Sequence, residues 1–354
     1  MTTRLRVDLD ALAANLDRVR RAVAPAELML VVKDDAYGHG LEPVVRTAAR
    51  AGVSWFGAFD VRTGVDVRAA LAGEQTHGDA ARIFAWIAAS REELSTALAA
   101  GVDLGVGDRA LLEELASVAL ADGRRARVHL KIDTGLHRNG VRPEAWPEFA
   151  RRAAALEAAG AIDVVGVWSH IAEASDAEDD AAREAYERAL DEADEAGLRP
   201  GIRHLAASAA SFARPEFRYD MVRVGAFCYG IRSAGGAAAS DLGLATIAAL
   251  EADVVTVHEA TVTIGVGALD GLPSTLAGRV TVGTPAGPRR LLAIGERSEV
   301  EGWPDARIGD RVTVYGPGIQ GEGSATDLAE LIGTIGEEIA VRVSPLVARV
   351  HSRR

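Results

Sequence analysis

Apolar and charged residues alternate from Arg4 to Asp10, the period of two expected of a short strand. The period then changes. Leu12, Leu16, Val19 and Val23 share one face of a predicted helix over 11–23, with Asp10 placed to cap it. From Leu28 the text alternates apolar runs with helix-like segments. The runs are Leu28–Val32, Trp55–Phe59, Ile83–Ile87, Leu104–Val106, Val128–Ile132, Val164–Trp168, His204–Ala207 and Val222–Phe227. Helical spacing appears between them at His39–Ala51, Glu92–Ala100, Arg109–Ala121, Glu144–Ala159 and Ala181–Ala196. Eight such units predict an α/β chain whose first domain, 11–233, is a TIM-like (β/α)8 barrel rather than an open sheet. In that architecture the chemistry sits at the C-terminal strand ends, where Lys33, Lys131, Asp133, His170, Ser208 and Arg223 fall.

Beyond Ser233 the helical period fades. Short Val/Ile/Thr runs at Leu250–Glu259, Thr261–Val266, Gly278–Val282, Arg290–Ile294, Arg311–Tyr315 and Ile339–Ser344 alternate with Gly/Pro turns. They predict a smaller all-β C-terminal domain, 234–354, with one helix near Ala325–Ile332 and room for the opening strand. The acidic stretch Asp176–Glu195 reads as a helix with a solvated face.

Composition narrows the function classes. A formal net charge of -12 argues against a nucleic-acid or anionic-membrane partner, since both select a basic face. The single cysteine, Cys228, rules out an intrachain disulfide and fits a reducing cytoplasm. Neither a signal peptide nor a membrane span is read from the text, and no metal is implied.

The candidate chemistry begins with a rarity. Of 39 Lys plus Arg, only Lys33 and Lys131 are lysines. Arginine keeps its proton in a protein, whereas a desolvated lysine can release it and form a Schiff base with a carbonyl such as that of pyridoxal phosphate. Lys33 follows an apolar strand and precedes the turn Tyr37-Gly38-His39-Gly40.

The stretch Val32-Lys33-Asp34-Asp35-Ala36-Tyr37-Gly38-His39-Gly40 resembles the cofactor-lysine signature of the alanine racemase family. Lys131 through Gly140, Ser169-His170, His204 through Ser208, and Arg223-Val224-Gly225 carry the same resemblance. It implies a pyridoxal phosphate enzyme, an amino-acid racemase acting as a homodimer on a small amino acid. Residue by residue, it implies that Lys33 forms the Schiff base and serves as the base on one face. Tyr37, Ser208 and the backbone at Gly225 and Ala226 would hold the phosphate, and His170 would lie near the pyridine ring. Arg223 would face the pyridine nitrogen; its permanent charge leaves that nitrogen an acceptor and the ring a weaker electron sink. Arg138 would bind the substrate carboxylate, and Lys131 resembles the lysine that many relatives carbamylate to position that arginine.

The second domain departs from the pattern. The family's opposite-face tyrosine, supplied by the neighbouring subunit, lies in a Val-Gly-Tyr-x-Asp-Gly context; here the text reads Val266-Gly267-Ala268-Leu269-Asp270-Gly271. A late phosphate-binding tyrosine is matched by Glu337, whose charge would repel a phosphate and which is therefore expected to point elsewhere. Tyr315 reads as packing. Cys228, His258, Asp270 and Glu296 are the candidate substitutes for the tyrosine, with His258 read as a strand residue and Asp270 as a turn residue. Three readings stay open: a racemase with weakened chemistry, a one-base enzyme on a different amine or amino acid, and a cofactor-binding protein without turnover.

Overall fold

The computed structural model describes residues 3–73, 81–173 and 175–353. By their contacts these residues form two compact units, one of the described residues within 19–33 and 49–225, the other of those within 3–18, 34–48 and 226–353.

The first unit holds the parallel sheet. Opening strand aside (β1, Thr3–Asp8), its strands are β2 Glu27–Val31, β3 Trp55–Asp60, β4 Arg82–Ile87, β5 Asp103–Val106, β6 Ala126–Lys131, β7 Ile162–Trp168, β8 Ile202–His204 and β9 Met221–Val224. They run in the order β8-β7-β6-β5-β4-β3-β2-β9, all pairings parallel. Asp220 N donates to Arg203 O at 3.1 Å and Arg223 N to Ala206 O at 3.1 Å, joining the two edges into a barrel. The last two strands are shorter than their apolar runs suggest: β8 stops at His204, and the run after Val222 breaks into a 3₁₀ turn at Ala226–Tyr229. Met29, Trp55, Phe84, Trp168 and Met221 fill the barrel interior, so it is a packed core and not a pore. Side chains start most of the outer helices: Asp60, Ser90, Asp108 and Ser175 each accept from the backbone N–H three residues on. The acidic helix spans Asp176–Glu195, with a buried stripe of Ala182, Tyr186, Ala189 and Ala193 beneath its charged face.

The second unit is built on β10 Ala248–Val257, β11 Thr261–Ile264, β12 Thr281–Thr284, β13 Gly287–Ile294, β14 Ser298–Glu301, β15 Arg311–Tyr315 and β16 Ala348–Ser352. The ten-residue β10 is shared: its first half pairs with β1, its second half with β11, and β15 runs along its other edge. β1 pairs antiparallel with β10 and parallel with β16, which ties the chain's two ends into one sheet.

Two local expectations fail. The helix starts at Leu9 and its cap is Asp8, whose carboxylate accepts from Asp10 N at 3.0 Å and Ala11 N at 2.9 Å, so Asp10 is a first-turn residue. The run at Ile339–Ser344 is not a strand but the end of a helix, Gly336–Val341. Its buried residues, Ile339, Ala340 and Val343, lie at helical spacing; a short apolar run does not reveal its period.

Candidate active site

At the C-terminal end of the barrel the strands deliver a concentration of positive charge. β2 remains paired through Val32, whose N–H reaches Gly57 O at 2.9 Å, so Lys33 emerges at the strand tip, half-buried. Lys131 closes β6, with its Nζ 4.4 Å from the centroid of the Trp168 ring. Arg223 lies inside β9, buried, with its Cζ 5.2 Å from the same ring. Trp168 therefore carries two cations, a contact whose strength grows as water is excluded.

Arg223 is held from several sides. Its Nη1 donates to His204 Nδ1 at 3.0 Å. Its Nη2 donates its two hydrogens to Ser169 O at 2.7 Å and Leu205 O at 2.9 Å, and lies 3.3 Å from His170 Nδ1. Burial, followed by the charges of Arg223, Arg138, Lys131 and Lys33, pushes His170 down to about 3. Burial and then Arg223 and Arg138 push Lys131 down to about 8. Burial alone lowers Arg223 to about 10, which leaves it charged at neutral pH.

Glu173 and Asp133 are carboxylates of this end of the barrel, and both are engaged by backbone donors, Glu173 accepting from Ala210 N at 2.9 Å. Asp133 braces its own loop. It accepts from Gly135 N at 3.1 Å, His137 N at 3.0 Å and His137 Nδ1 at 3.1 Å, bracing the turn that carries the exposed Arg138. Burial would raise its pKa, but these donors outweigh burial and keep it below the usual carboxylate range. Ser208 opens the helix Ser208–Ala213 after β8, and Gly225 follows β9. Cations that depress one another's pKa, with the nearby carboxylates engaged elsewhere, suit an anionic ligand. A phosphorylated, phenolic cofactor and a substrate carboxylate fit that donor set.

The remaining predicted residues belong to the other unit. Asp34, Asp35, Ala36 and Tyr37 have φ between 53° and 56° and form one left-handed turn. Non-glycine residues pay about 1–2 kcal/mol each for that conformation. It is held by Gly40 N to Asp35 O at 3.0 Å, His39 Nδ1 to Ala36 O at 2.8 Å and Leu41 N to the Asp35 carboxylate at 2.7 Å. Tyr37 is buried against Tyr229, ring centroids 4.9 Å apart. Its phenol is raised by burial and then by the charges of Glu337 and Asp34. Ala226 begins the buried 3₁₀ turn Ala226–Tyr229.

The candidate substitutes for the family tyrosine all belong to the second unit. Cys228 is buried, and burial raises its thiol far above the working range. His258 lies in the turn after β10, not in a strand, with its ring 3.2 Å from Thr263 Oγ1. Asp270 accepts from Gly267 N at 2.9 Å, a turn residue as read, and Glu296 is exposed. Tyr315 is buried and packs.

Against known proteins, the alanine racemase N-terminal domain matches residues 7–233. The chain belongs to the alanine racemase family. Alanine racemase of Beutenbergia cavernae is 38% identical, over 98% of this chain and 96% of that protein. That of Thermobifida fusca is 36% identical over 98% and 97%. The crystal structure of alanine racemase from D-cycloserine-producing Streptomyces lavendulae superposes with a TM-score of 0.93 at 32% identity, covering 99% of this chain and 97% of that one. The barrel followed by a β domain is thus the alanine racemase fold.

The sequence reading missed Trp168, which it took as the end of an apolar run, and His129, His204 and Asp103 as a group. The available signal was a polar residue inside each of three barrel strands, Asp103, His129 and His204, all fully buried.

Proposed function

We propose that this chain is a pyridoxal phosphate-dependent isomerase that moves the α-proton of a small amino acid, alanine foremost, with the acid/base of one face absent. The observation that carries the reading is the set Lys33, Lys131, Arg138 and Arg223 converging electrostatically on His170 at the C-terminal barrel end. Bound cofactor supplies a carbonyl for amines and a ring that withdraws electrons from Cα. Lys33 would hold that carbonyl and, as a free amine, would take or return the α-proton on its own face. Tyr37, Ser208, Gly225 and Ala226 would donate to the phosphate, and Arg138 would fix the substrate carboxylate with its planar fork. Arg223, charged and donor-only, would leave the pyridine nitrogen unprotonated and so favour reversible proton movement over decarboxylation.

The family arrangement puts the second domain at the neighbouring subunit's site, so the reading includes a homodimer. The lone cysteine accords with cytoplasmic placement. Among the described residues no helix is long and apolar enough to cross a membrane.

The one-base alternative gains weight from Ala268, exposed in the turn Ala268–Asp270, from the burial of Cys228 and from the hydrogen bond that engages Asp270. The cofactor-loaded enzyme in deuterated water separates the readings. Deuterium at Cα with inversion of alanine supports racemisation, deuterium with retention supports one-base chemistry, and no exchange with either enantiomer overturns alanine as substrate.

Two predictions follow from the charges. Glu337→Gln removes the acid beside Tyr37 and is expected to tighten pyridoxal phosphate about tenfold in a cofactor titration, about 1.4 kcal/mol. An unchanged affinity would place the phosphate away from Glu337. Lys131, pushed down to about 8, offers far more neutral amine at pH 7 than an ordinary lysine. Carbamate formation needs that amine, so a ¹³C carbamate signal from labelled bicarbonate should rise from pH 7 to 9 and vanish in Lys131→Gln.

A further inference from the structure

Behind Arg223 a chain of polar side chains crosses the barrel core to its opposite end. Arg223 Nη1 lies 3.0 Å from His204 Nδ1, His204 Nε2 lies 2.9 Å from His129 Nδ1, and His129 Nε2 lies 3.5 Å from Asp103 Oδ2. Asp103, His129 and His204 are each 0% exposed. At the far end Arg127 Nε donates to Asp103 Oδ1 at 2.6 Å, and Arg82 pairs with Oδ2.

The donor inventory leaves one proton pattern. A guanidinium only donates, so His204 Nδ1 must accept and its single proton sits on Nε2. That proton points to His129 Nδ1, which must accept in turn, so His129 is also protonated on Nε2, toward the carboxylate. Both rings stay neutral because burial, the first cause in each case, lowers their pKa values. Asp103 stays ionised: burial raises it, but His129, Arg82 and Arg127 more than reverse that. Every donor thus points from the Arg223 end toward Asp103. The surroundings are shaped for this chain. His204 stacks on Trp168 with 5° between ring planes, and a Cβ at Gly166 would come within 2.5 Å of His129 Nδ1.

We infer that Asp103 and His129 are positioning residues: by anchoring the far side of the His204 ring they hold the Arg223 guanidinium at the cofactor site. The functional half of this inference rests on the reading of Arg223 under Proposed function; the proton pattern does not. Arg127 takes Oδ1 while Arg82 and His129 share Oδ2. No single amide oxygen serves all three donors, so in Asp103→Asn an N–H₂ group meets an arginine donor in either orientation and the far anchor is lost. In His129→Phe the His204 Nε2–H loses its acceptor directly.

The test is the ¹⁵N spectrum of the histidine rings in the full-length, cofactor-free chain at neutral pH. Wild type is expected to show protonated Nε2 at both His129 and His204, and an Nδ1 proton on either ring overturns the proton pattern. His129→Phe keeps the ring volume and the Asp103 ion pairs but removes the acceptor of the His204 Nε2–H, so that nitrogen's resonance should move; Asp103→Asn, which removes the far anchor, should move the His129 Nε2 resonance if the phenylalanine variant fails to fold. In the loaded enzyme the folded variant should lose roughly tenfold in kcat with KM for alanine within about twofold. An unmoved resonance or an undiminished kcat overturns the positioning role, and because the spectra need no cofactor, a failure of the pyridoxal phosphate reading is told apart.

Discussion

Lys33→Ala is expected to abolish both turnover and the visible absorbance band of bound pyridoxal phosphate, the latter to be read on purified protein after cofactor loading. The chain has one other lysine, Lys131, and it lies against Trp168, so no second amine stands at the β2 tip to take over. Removing the amine removes the covalent hold on the cofactor and the base on that face together. General acid–base groups alone contribute about 10²–10⁴ in rate, and loss of the attachment adds to that. Activity should therefore fall by about 10⁴ or more, while the melting temperature changes little because Lys33 is only half-buried. A band that persists in the variant would remove Lys33 from the site and the pyridoxal phosphate reading with it.

Ala268→Tyr has the opposite sign. If the second face lacks its acid/base only because alanine stands at 268, a phenol there should raise alanine racemisation by about 10²–10⁴ in kcat, followed by polarimetry or coupled assay. The position tolerates the change: Ala268 is exposed, its N–H is tied to Gly295 O at 2.8 Å, and Asp270 fixes the turn through Gly267 N. Stability should stay within about 0.5 kcal/mol. A folded variant with unchanged racemisation and cofactor content would mean that residue 268 does not face the substrate, favouring one-base chemistry on another amino acid.

Much of the barrel was legible because its elements announce themselves locally. Apolar runs such as Trp55–Phe59 and Ile83–Ile87 are strands within a residue, and Arg109–Ala121 is the helix its spacing predicts. Errors fell where local signals were short or shared. Asp8 and Asp10 are equally good caps on paper, and only the hydrogen bonds choose between them. Ile339–Ser344 is too short to show its period, and the strands Ser298–Glu301 and Ala348–Ser352 are carried by pairing rather than by pattern.

The sequence by itself determined which side chains reach the C-terminal strand ends, since strand period and rare lysines are properties of contiguous text. It also determined the family, through motifs at Lys33, Lys131 and Arg223. Only the tertiary structure decided what those residues experience. Lys131 and Arg223 both lie against the Trp168 ring although 92 positions separate the two cations (223 − 131), and burial, followed by the charge of Arg223, lowers both His170 and Lys131. Asp103, His129, His204 and Arg223 become one directed chain of hydrogen bonds for the same reason. A barrel brings distant strands into register around a core without water, and low polarisability there makes each contact between charges count, which no local pattern encodes.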